Sequence, residues 1–222
     1  ERVAVPVRQS HLSGQAANQI ALPMTHHIPV MPDEILVGLR IQPGYRIIEG
    51  TVGGGGHAEK NLERSAPTGQ VLGLDADPDA VHRVGKRLSE AVTNDRLHLA
   101  HANFGQIRQV ANSHDFVPVD GILLDLGVSS FQLETPDRGF SLQHDGPLDM
   151  RFDPEQEMDA GTIVNTWPES ELANALYLYG EERRSRRIAR FLVRNRPIST
   201  TTELAALVER AVGGRRGQRI HP

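Results

Sequence analysis

The chain has 222 residues, of which 38% are hydrophobic and 23% are charged, and its formal net charge is −4. The sequence contains no Cys, which excludes a disulfide framework, Cys-ligated metal centres and thiol catalysis. No apolar run in it reaches the ~20 residues of a membrane span. At roughly 100–200 residues per domain we expect one domain, or one with an insertion. We expect it to work in the cytoplasm, without a membrane partner. Because the first residue is Glu1, we expect a processed N-terminus or a fragment.

The charge is unevenly distributed along the chain. Residues 181–222 contain eleven Arg and four Glu, whereas the other 180 residues carry thirteen Lys and Arg against twenty-four Asp and Glu. A basic end on an acidic body suits contact with the phosphates of a nucleic acid. A solvated helix face is the alternative on charge alone.

Short apolar runs alternate with helical patterns through the first half of the chain. Residues 1–25 show neither the hydrophobic period of a helix nor that of a strand, and they are interpreted as a disordered arm. Strands are predicted at 45–49, 71–75, 97–102 and 119–125, and helices at 57–65, 78–91 and 104–114. Strands separated by helices of this length are typical of βαβ units and a parallel sheet.

After the fourth predicted strand the pattern changes. Residues 126–154 are rich in Gly, Asp and Pro without a clear period, and a loop of that length is usually functional. Helices are then predicted at 160–165, 169–178, 181–196 and 201–212, the last with a capping box of Thr200 and Glu203. The predicted fold is therefore α/β, with a Rossmann-like sheet that is incomplete at its C-terminal end and a helical module after it.

A run of glycines joins the first predicted strand to the first helix. Residues Gly53 to Gly56 would let the backbone approach a ligand closely, and the start of a helix offers free N–H groups. The spacing Gly53-x-Gly55-x-x-Ala58 fits a dinucleotide fingerprint, although a purely structural turn is the alternative. A phosphate-binding P-loop is disfavoured because no Gly-Lys-Ser/Thr follows.

Three acidic residues end predicted strands. Glu49, Asp75 and Asp125 would line one crevice, since ligands of open α/β sheets bind outside the carboxyl ends of the strands. Asp75 could accept hydrogen bonds from both ribose hydroxyls of an adenosine, in a dinucleotide or in S-adenosylmethionine. Asp77 is predicted to cap a helix. Because the glycine loop has no Lys or Arg, the acids favour a cationic sulfonium ligand over a pyrophosphate.

Four segments carry a resemblance to a known family. They are GGGGH (53–57), LLDLGVSSFQL (123–133), RGFSLQHDGPLDMRFD (138–153) and YGEERRSRRIAR (179–190), and the third is the most specific. From about His26 to Pro222 the chain closely resembles the bacterial 16S ribosomal RNA cytosine-N4 methyltransferases, the RsmH or MraW family.

The resemblance implies a function and a domain organisation. Members use S-adenosylmethionine to methylate the exocyclic N4 of a cytidine in the decoding region of 16S rRNA, within the small ribosomal subunit. Their class I methyltransferase core would correspond to residues 26–133, and an inserted helical domain for substrate recognition to 134–222. The family continues beyond Pro222 to complete the sheet, so the core is expected to be incomplete here. A homodimer is left open.

The resemblance also implies site residues, with no metal among the ligands. The cofactor contacts would be Gly55, Gly56 and His57 in the glycine loop, Asp75 at the ribose, Phe104 near the adenine, and Asp125 and Gln132 beyond the fourth strand. From the residues alone, a core aromatic is the preferred interpretation of Phe104, whereas His57 could equally be a helix residue without a ligand role.

Asp125 is the predicted catalytic residue. Its carboxylate would accept hydrogen bonds from the target amino group; the alternative is that it contacts only the cofactor. The predicted RNA contacts are stacking by Phe131 or Phe140, polar contacts from Asp145 and Asp149, and phosphate contacts from Arg183, Arg184, Arg186, Arg187 and Arg190. A turn is preferred for Asp145. Two rival functions stay open, a nucleotide-dependent oxidoreductase and an RNA-binding module without turnover.

Overall fold

A computed structural model of the chain describes residues 29–213. The predicted arm at 1–25 and the terminal residues 214–222 lie outside this range. Four strands form one sheet within it: β1 Arg46–Glu49, β2 Gln70–Asp75, β3 Leu97–His101 and β4 Gly121–Leu123. In this part of the chain no helix is both long enough and apolar enough to cross a membrane.

The sheet has the strand order β3-β2-β1-β4, and every neighbouring pair is parallel. Ile47 of β1 is in register with Val71 of β2 on one side and Gly121 of β4 on the other. The order reverses between β1 and β4, and the crevice at such a reversal is where doubly wound sheets bind their ligands. The predicted parallel, Rossmann-like α/β sheet is confirmed.

Helices surround the sheet and follow it along the chain. In the described range they are α1 Pro32–Gly38, α2 Gly56–Arg64, α3 Pro78–Arg87, α4 Ser89–Thr93, α5 Ile107–Ser113, α6 Ser130–Glu134, α7 Ala160–Thr166, α8 Glu169–Leu178, α9 Ser185–Arg194 and α10 Thr201–Val212. Short 3₁₀ turns cover Phe104–Gln106 and Pro136–Arg138.

Both faces of the sheet are covered. Successive residues of a strand point to opposite faces, so Ile47 and Val71 pack with residues of α2 and α3, whereas Ile48 and Leu72 pack with α5 and Phe116. These residues are almost fully buried. The two cores hold β1 and β2 rigidly, and their carboxyl ends are therefore fixed in space.

The helices after residue 159 have a core of their own. It is built around Leu172 of α8, Ile188 and Leu192 of α9, and Leu207 of α10, and it shares no buried residue with the two cores of the sheet. Leu148 from the long loop is also part of it. Separate cores are consistent with the predicted division at residue 133, which stays a prediction.

Several predicted boundaries differ from the structure. The helix predicted at 181–196 begins only at Ser185, because Glu181 has a left-handed φ of 52° that a helix cannot include. The strand predicted at 119–125 shortens to three residues, and Ile122 is 48% exposed because β4 lies at the edge of the described sheet. Thr200 caps α10 as predicted, but Glu203 accepts from the Ser199 N–H, so the capping box is only half formed.

Candidate functional site

The glycine loop connects β1 to α2 at the reversal of strand order. Gly53 and Gly55 have left-handed φ values of 52° and 77°, which glycine adopts without strain. The Gly55 N–H donates to the Val52 carbonyl at 2.7 Å. A Cβ on Gly55 would lie 3.0 Å from a methyl carbon of Val84 in α3. Glycine at 55 therefore allows both the turn and the close approach of α3.

Asp75 ends β2 and faces this loop. One carboxylate oxygen accepts from the Gly53 N–H at 2.8 Å and the other from the Asp77 N–H at 2.9 Å. Burial raises the pKa of Asp75, and the two backbone hydrogen bonds oppose that rise. The structure thus places Asp75 against the glycine loop, where its position in the sequence predicted it.

Glu49 ends β1 and is only 1% exposed. Its Oε2 has no hydrogen-bond partner in the described part of the chain. Burial, followed by repulsion from Asp125 and Asp75, raises its pKa well above the ordinary 4.5. Glu49 thus lies near Asp75 and Asp125, but its side chain is buried behind the crevice and is not exposed at its surface.

Asp125 follows β4 and lies beside the glycine loop. Its backbone N–H donates to the Thr51 hydroxyl at 2.8 Å, and its side chain is 47% exposed. The carboxylate Oδ2 is 3.8 Å from Nε2 of His57, a residue that is 5% exposed at the start of α2. His57 is thus a buried neighbour of Asp125. Thr51 was not predicted, although a hydroxyl directly after a strand was a usable signal.

Phe104 opens the 3₁₀ turn after β3 and is 41% exposed. A Cβ on Gly50 would lie 3.2 Å from the Cβ of Phe104, which places the ring beside the loop rather than deep in the core. Gln132 is different, because it is only 4% exposed. Its amide oxygen accepts from the Ser129 N–H at 3.0 Å, and its amide nitrogen lies 3.5 Å from a carboxylate oxygen of Asp77.

Asp77 connects the sheet to the long loop. Its Oδ1 accepts from the Asp79 N–H at 3.0 Å, which confirms the predicted helix cap. Its Oδ2 accepts from Nη1 of Arg138 at 2.8 Å. Arg138 also donates to the carbonyls of Arg151 and Phe152 at 2.9 and 3.0 Å. Nothing in the spacing of the sequence indicated this ion pair.

The structure therefore collects most of the predicted site at one edge of the sheet. Gly55, Gly56, His57, Asp75 and Asp125 lie in the glycine loop, at the start of α2 or at the neighbouring strand ends, and Phe104 borders the loop. Gln132 is connected to this group through Asp77. Among residues 29–213 no group of three or more His, Cys, Asp or Glu is placed to hold a metal.

Comparison with known proteins gives a consistent result. "Ribosomal RNA small subunit methyltransferase H" of Thermomicrobium roseum is 53% identical over 201 residues, which are 89% of this chain and 61% of the relative. The protein of the same name from Dehalococcoides mccartyi strain BAV1 is 49% identical over 196 residues, 88% of this chain and 55% of the relative. The chain thus spans little more than half the length of these relatives.

Among solved structures, the chain is similar to a SAM-dependent O-methyltransferase from Thermotoga maritima. The two are 17% identical, the match covers 56% of this chain and 46% of that one, and the TM-score is 0.37. Residues 24–222 match the sequence pattern of the MraW methylases. Since this match and the two close relatives cover most of the chain, the chain belongs to the MraW methylase family.

Proposed function

We propose that the protein methylates ribosomal RNA of the small subunit with S-adenosylmethionine, and that the acceptor is the exocyclic N4 of a cytidine in the decoding region. The observation that carries the proposal is the acidic rim of the glycine loop, in a chain of the MraW family. Asp75 contacts the loop directly, and Asp125 stands beside it with an exposed carboxylate.

The residues present fit a positively charged cofactor. Asp75 and Asp125 lie close enough to Glu49 to add to the effect of burial on its pKa. The glycine loop itself contains no basic residue, although Arg87 donates to the Gly54 carbonyl at 2.6 Å and Arg83 partly offsets the charge of Asp75. A sulfonium cofactor relieves the repulsion among these carboxylates, whereas a pyrophosphate adds to it. These charges support S-adenosylmethionine over a nicotinamide dinucleotide as the ligand.

Each predicted contact has a physical role in this proposal. Asp75 would accept hydrogen bonds from the ribose hydroxyls, after releasing the Gly53 N–H or sharing it. Phe104 would cover the adenine with its exposed face, while Gly55, Gly56 and His57 would border the methionine part. Gln132 would donate through its amide nitrogen, since its amide oxygen is engaged by the Ser129 N–H.

S-adenosylmethionine, when bound, would supply a methyl group on a positively charged sulfur, and the S–CH3 bond would break in the transfer and leave a neutral thioether. The N4 lone pair of cytosine is delocalised into the ring and is a weak nucleophile. We propose that Asp125 accepts a hydrogen bond from the amino group and takes up the proton that N4 loses as the new N–C bond forms. The Thr51 hydroxyl fixes the backbone of Asp125 for this task at 2.8 Å. A purely cofactor-binding role for Asp125 is the alternative.

The four side chains predicted to contact RNA bases are already engaged within the protein. Asp145 accepts from the Thr202 hydroxyl, as a turn residue would, and Asp149 binds Arg151 at 2.6 Å. These partners hold the pKa of both carboxylates below the ordinary 3.8. Phe131 stacks under the Arg83 guanidinium at 4.3 Å, and Phe140 packs on Phe152 at 5.3 Å between ring centres. Because the two carboxylates already have partners, they are weak candidates for base contacts, whereas the exposed arginines of α9 stay candidates for phosphate contacts.

Other parts of the proposal concern the whole protein. Residues 26–133 would form the cofactor-binding core and 134–222 the helical domain for substrate recognition, since the helices have their own core. The substrate would be 16S rRNA within the small ribosomal subunit, in the cytoplasm. Nothing in the described chain favours the homodimer over a monomer.

Methyl transfer tests the proposal. Small ribosomal subunits are incubated with this chain and S-adenosylmethionine labelled in the methyl group, and the RNA is digested to nucleosides. We expect label in N4-methylcytidine, and a decrease of at least tenfold for Asp125→Asn. RNA binding without any transfer, while a full-length relative transfers, would favour the binding-module alternative. An Asp125→Asn variant with unchanged turnover but weaker cofactor affinity would assign that residue to the cofactor alone.

A further inference from the structure

The end of α8 exposes three large side chains in succession. Tyr177 is 58% exposed, Leu178 66% and Tyr179 87%. Leu172 and Ala173, one turn or more earlier in the same helix, are buried in the helical core, so the exposed side chains stand where the helix ends beyond that core. The two tyrosine rings are therefore not required for packing within the described chain, and large exposed aromatic side chains clustered at one helix end are typical of an interaction site.

The turn that carries the tyrosines is tightly built. The Tyr179 N–H donates to the Ala175 carbonyl at 3.0 Å and the Glu182 N–H to the Leu176 carbonyl at 3.1 Å. A Cβ on Gly180 would lie 2.9 Å from the Leu176 carbonyl oxygen, so only glycine fits there without a shift. The exposed rings thus stand on a rigid support, which lowers the entropy lost when a ligand binds them.

Unpaired positive charge follows directly after the turn. Between residues 177 and 194 there are six Arg and two Glu. Arg184 is near Glu182 at 3.4 Å and Arg190 near Glu169 at 3.3 Å. No ion pair within the described residues involves the exposed Arg183, Arg186 or Arg187. These three guanidinium groups are available to an anionic partner.

We propose that Tyr177, Tyr179, Arg183, Arg186 and Arg187, together the Tyr–Arg surface, bind an unpaired segment of RNA. The tyrosine rings stack on successive bases, and the guanidinium groups contact the phosphates that connect them. Aromatic rings beside unpaired arginines are the combination that single-stranded nucleic acids require, because every base has a face for stacking and every link carries a charge. This inference rests on the proposed function and specifies that the substrate is held by an unpaired strand.

Binding of a labelled oligonucleotide tests the inference. The probe is a fluorescein-labelled, twelve-nucleotide single-stranded RNA of mixed sequence, and affinity is measured by fluorescence anisotropy. The double variant Tyr177→Ala with Tyr179→Ala should bind about tenfold more weakly or worse. The matched double variant Tyr177→Phe with Tyr179→Phe keeps the rings and should bind within about twofold of wild type. Val37→Ala, at a 76% exposed position in α1, is the control for exposed apolar surface elsewhere.

Salt dependence tests the arginines separately. Each phosphate contact on a single strand contributes about 0.7 to the slope of log affinity against log salt concentration. The double variant Arg186→Gln with Arg187→Gln should therefore lower the magnitude of that slope by about 1.4. An unchanged slope would return these arginines to the role of a solvated helix face.

Three results would overturn the inference: no binding of the single strand by wild type, unchanged affinity of the Tyr→Ala variant, or equal affinity for the same sequence as a duplex. A change in self-association, with RNA affinity unaltered, would instead assign the surface to a second copy of the chain. The same variants are titrated with S-adenosylmethionine. Wild type that binds RNA through the tyrosines but not S-adenosylmethionine contradicts the proposed function while this inference stands.

Discussion

The carboxylate of Asp77 and the guanidinium of Arg138 form an ion pair at 2.8 Å, with side chains only 2% and 16% exposed. Asp77 lies two residues after Asp75, and Arg138 holds the loop after β4 through two backbone carbonyls. The ribose side of the proposed cofactor site is thus tied directly to the segment that carries the most specific family motif. Disturbing the pair should affect both stability and cofactor binding.

Arg138→Ala should lower the free energy of unfolding by about 3 kcal/mol, because it leaves the buried Asp77 carboxylate without its cation. Urea denaturation measures this change. Asp77→Ala and the double variant complete a mutant cycle, in which we expect a coupling energy of about 1–3 kcal/mol. Additive losses would mean that the pair contributes nothing beyond its separate residues.

Gly55→Ala should destabilise the protein by about 1–2 kcal/mol, because alanine is strained at a φ of 77°. The new methyl would also press on Val84, 3.0 Å away, so affinity for S-adenosylmethionine should fall as well. Thermal unfolding and calorimetry measure the two effects. Gly38→Ala is the matched control, since nothing lies within 4 Å of its added Cβ, and it should be neutral or slightly stabilising.

Asp75→Asn should weaken S-adenosylmethionine binding by at least tenfold, about 1.4 kcal/mol. The amide replaces one of the two acceptor oxygens with a donor and removes a charge facing the ligand. Isothermal calorimetry measures the dissociation constant. Glu90→Gln, which neutralises an exposed acid in α4, should leave it unchanged. Equal affinities for Asp75→Asn and wild type would remove Asp75 from the site.

Glu49 makes stability depend on pH in a defined direction. The pKa of Glu49 in the folded protein is well above the ordinary 4.5. The contribution of Glu49 to the free energy of unfolding is therefore fully present below pH 4.5 and is lost as the pH rises through the folded pKa. Glu49→Gln does not titrate and should lack this decline. We compare how steeply the free energy of unfolding changes with pH in the wild type and in Glu49→Gln. The two slopes can differ by up to about 1.4 kcal/mol per pH unit, the limit for one proton. Identical slopes would mean that Glu49 keeps an ordinary pKa.

Much of the sheet could be predicted from local patterns. The strand at β2 and the acid that ends it follow from VLGLD, and the glycines after β1 predict the turn. Because parallel strands end at one edge, the meeting of Asp75 with the glycine loop also followed. These features depend on neighbouring residues in the chain or on the general rules of parallel sheets. The close approach of α3 to Gly55 became visible only in the structure.

Features set by distant contacts could not be predicted in this way. Glu49 pairs with Leu123 of β4, which is 74 residues away along the chain, and the Asp77–Arg138 pair spans 61 residues. The exposure of Tyr177 and Tyr179 was equally hidden, since only the packing of α8 decides which residues face the core. The start of α9 was missed because a left-handed Glu181 has no signal in the residue type.

The most direct test of the account is a calorimetric titration of the chain with S-adenosylmethionine, beside a titration with NAD under the same conditions. We predict binding of S-adenosylmethionine alone, with one site per chain, because the acidic strand ends favour a cation and repel a pyrophosphate. Binding of NAD in its place would contradict the account and favour the oxidoreductase alternative.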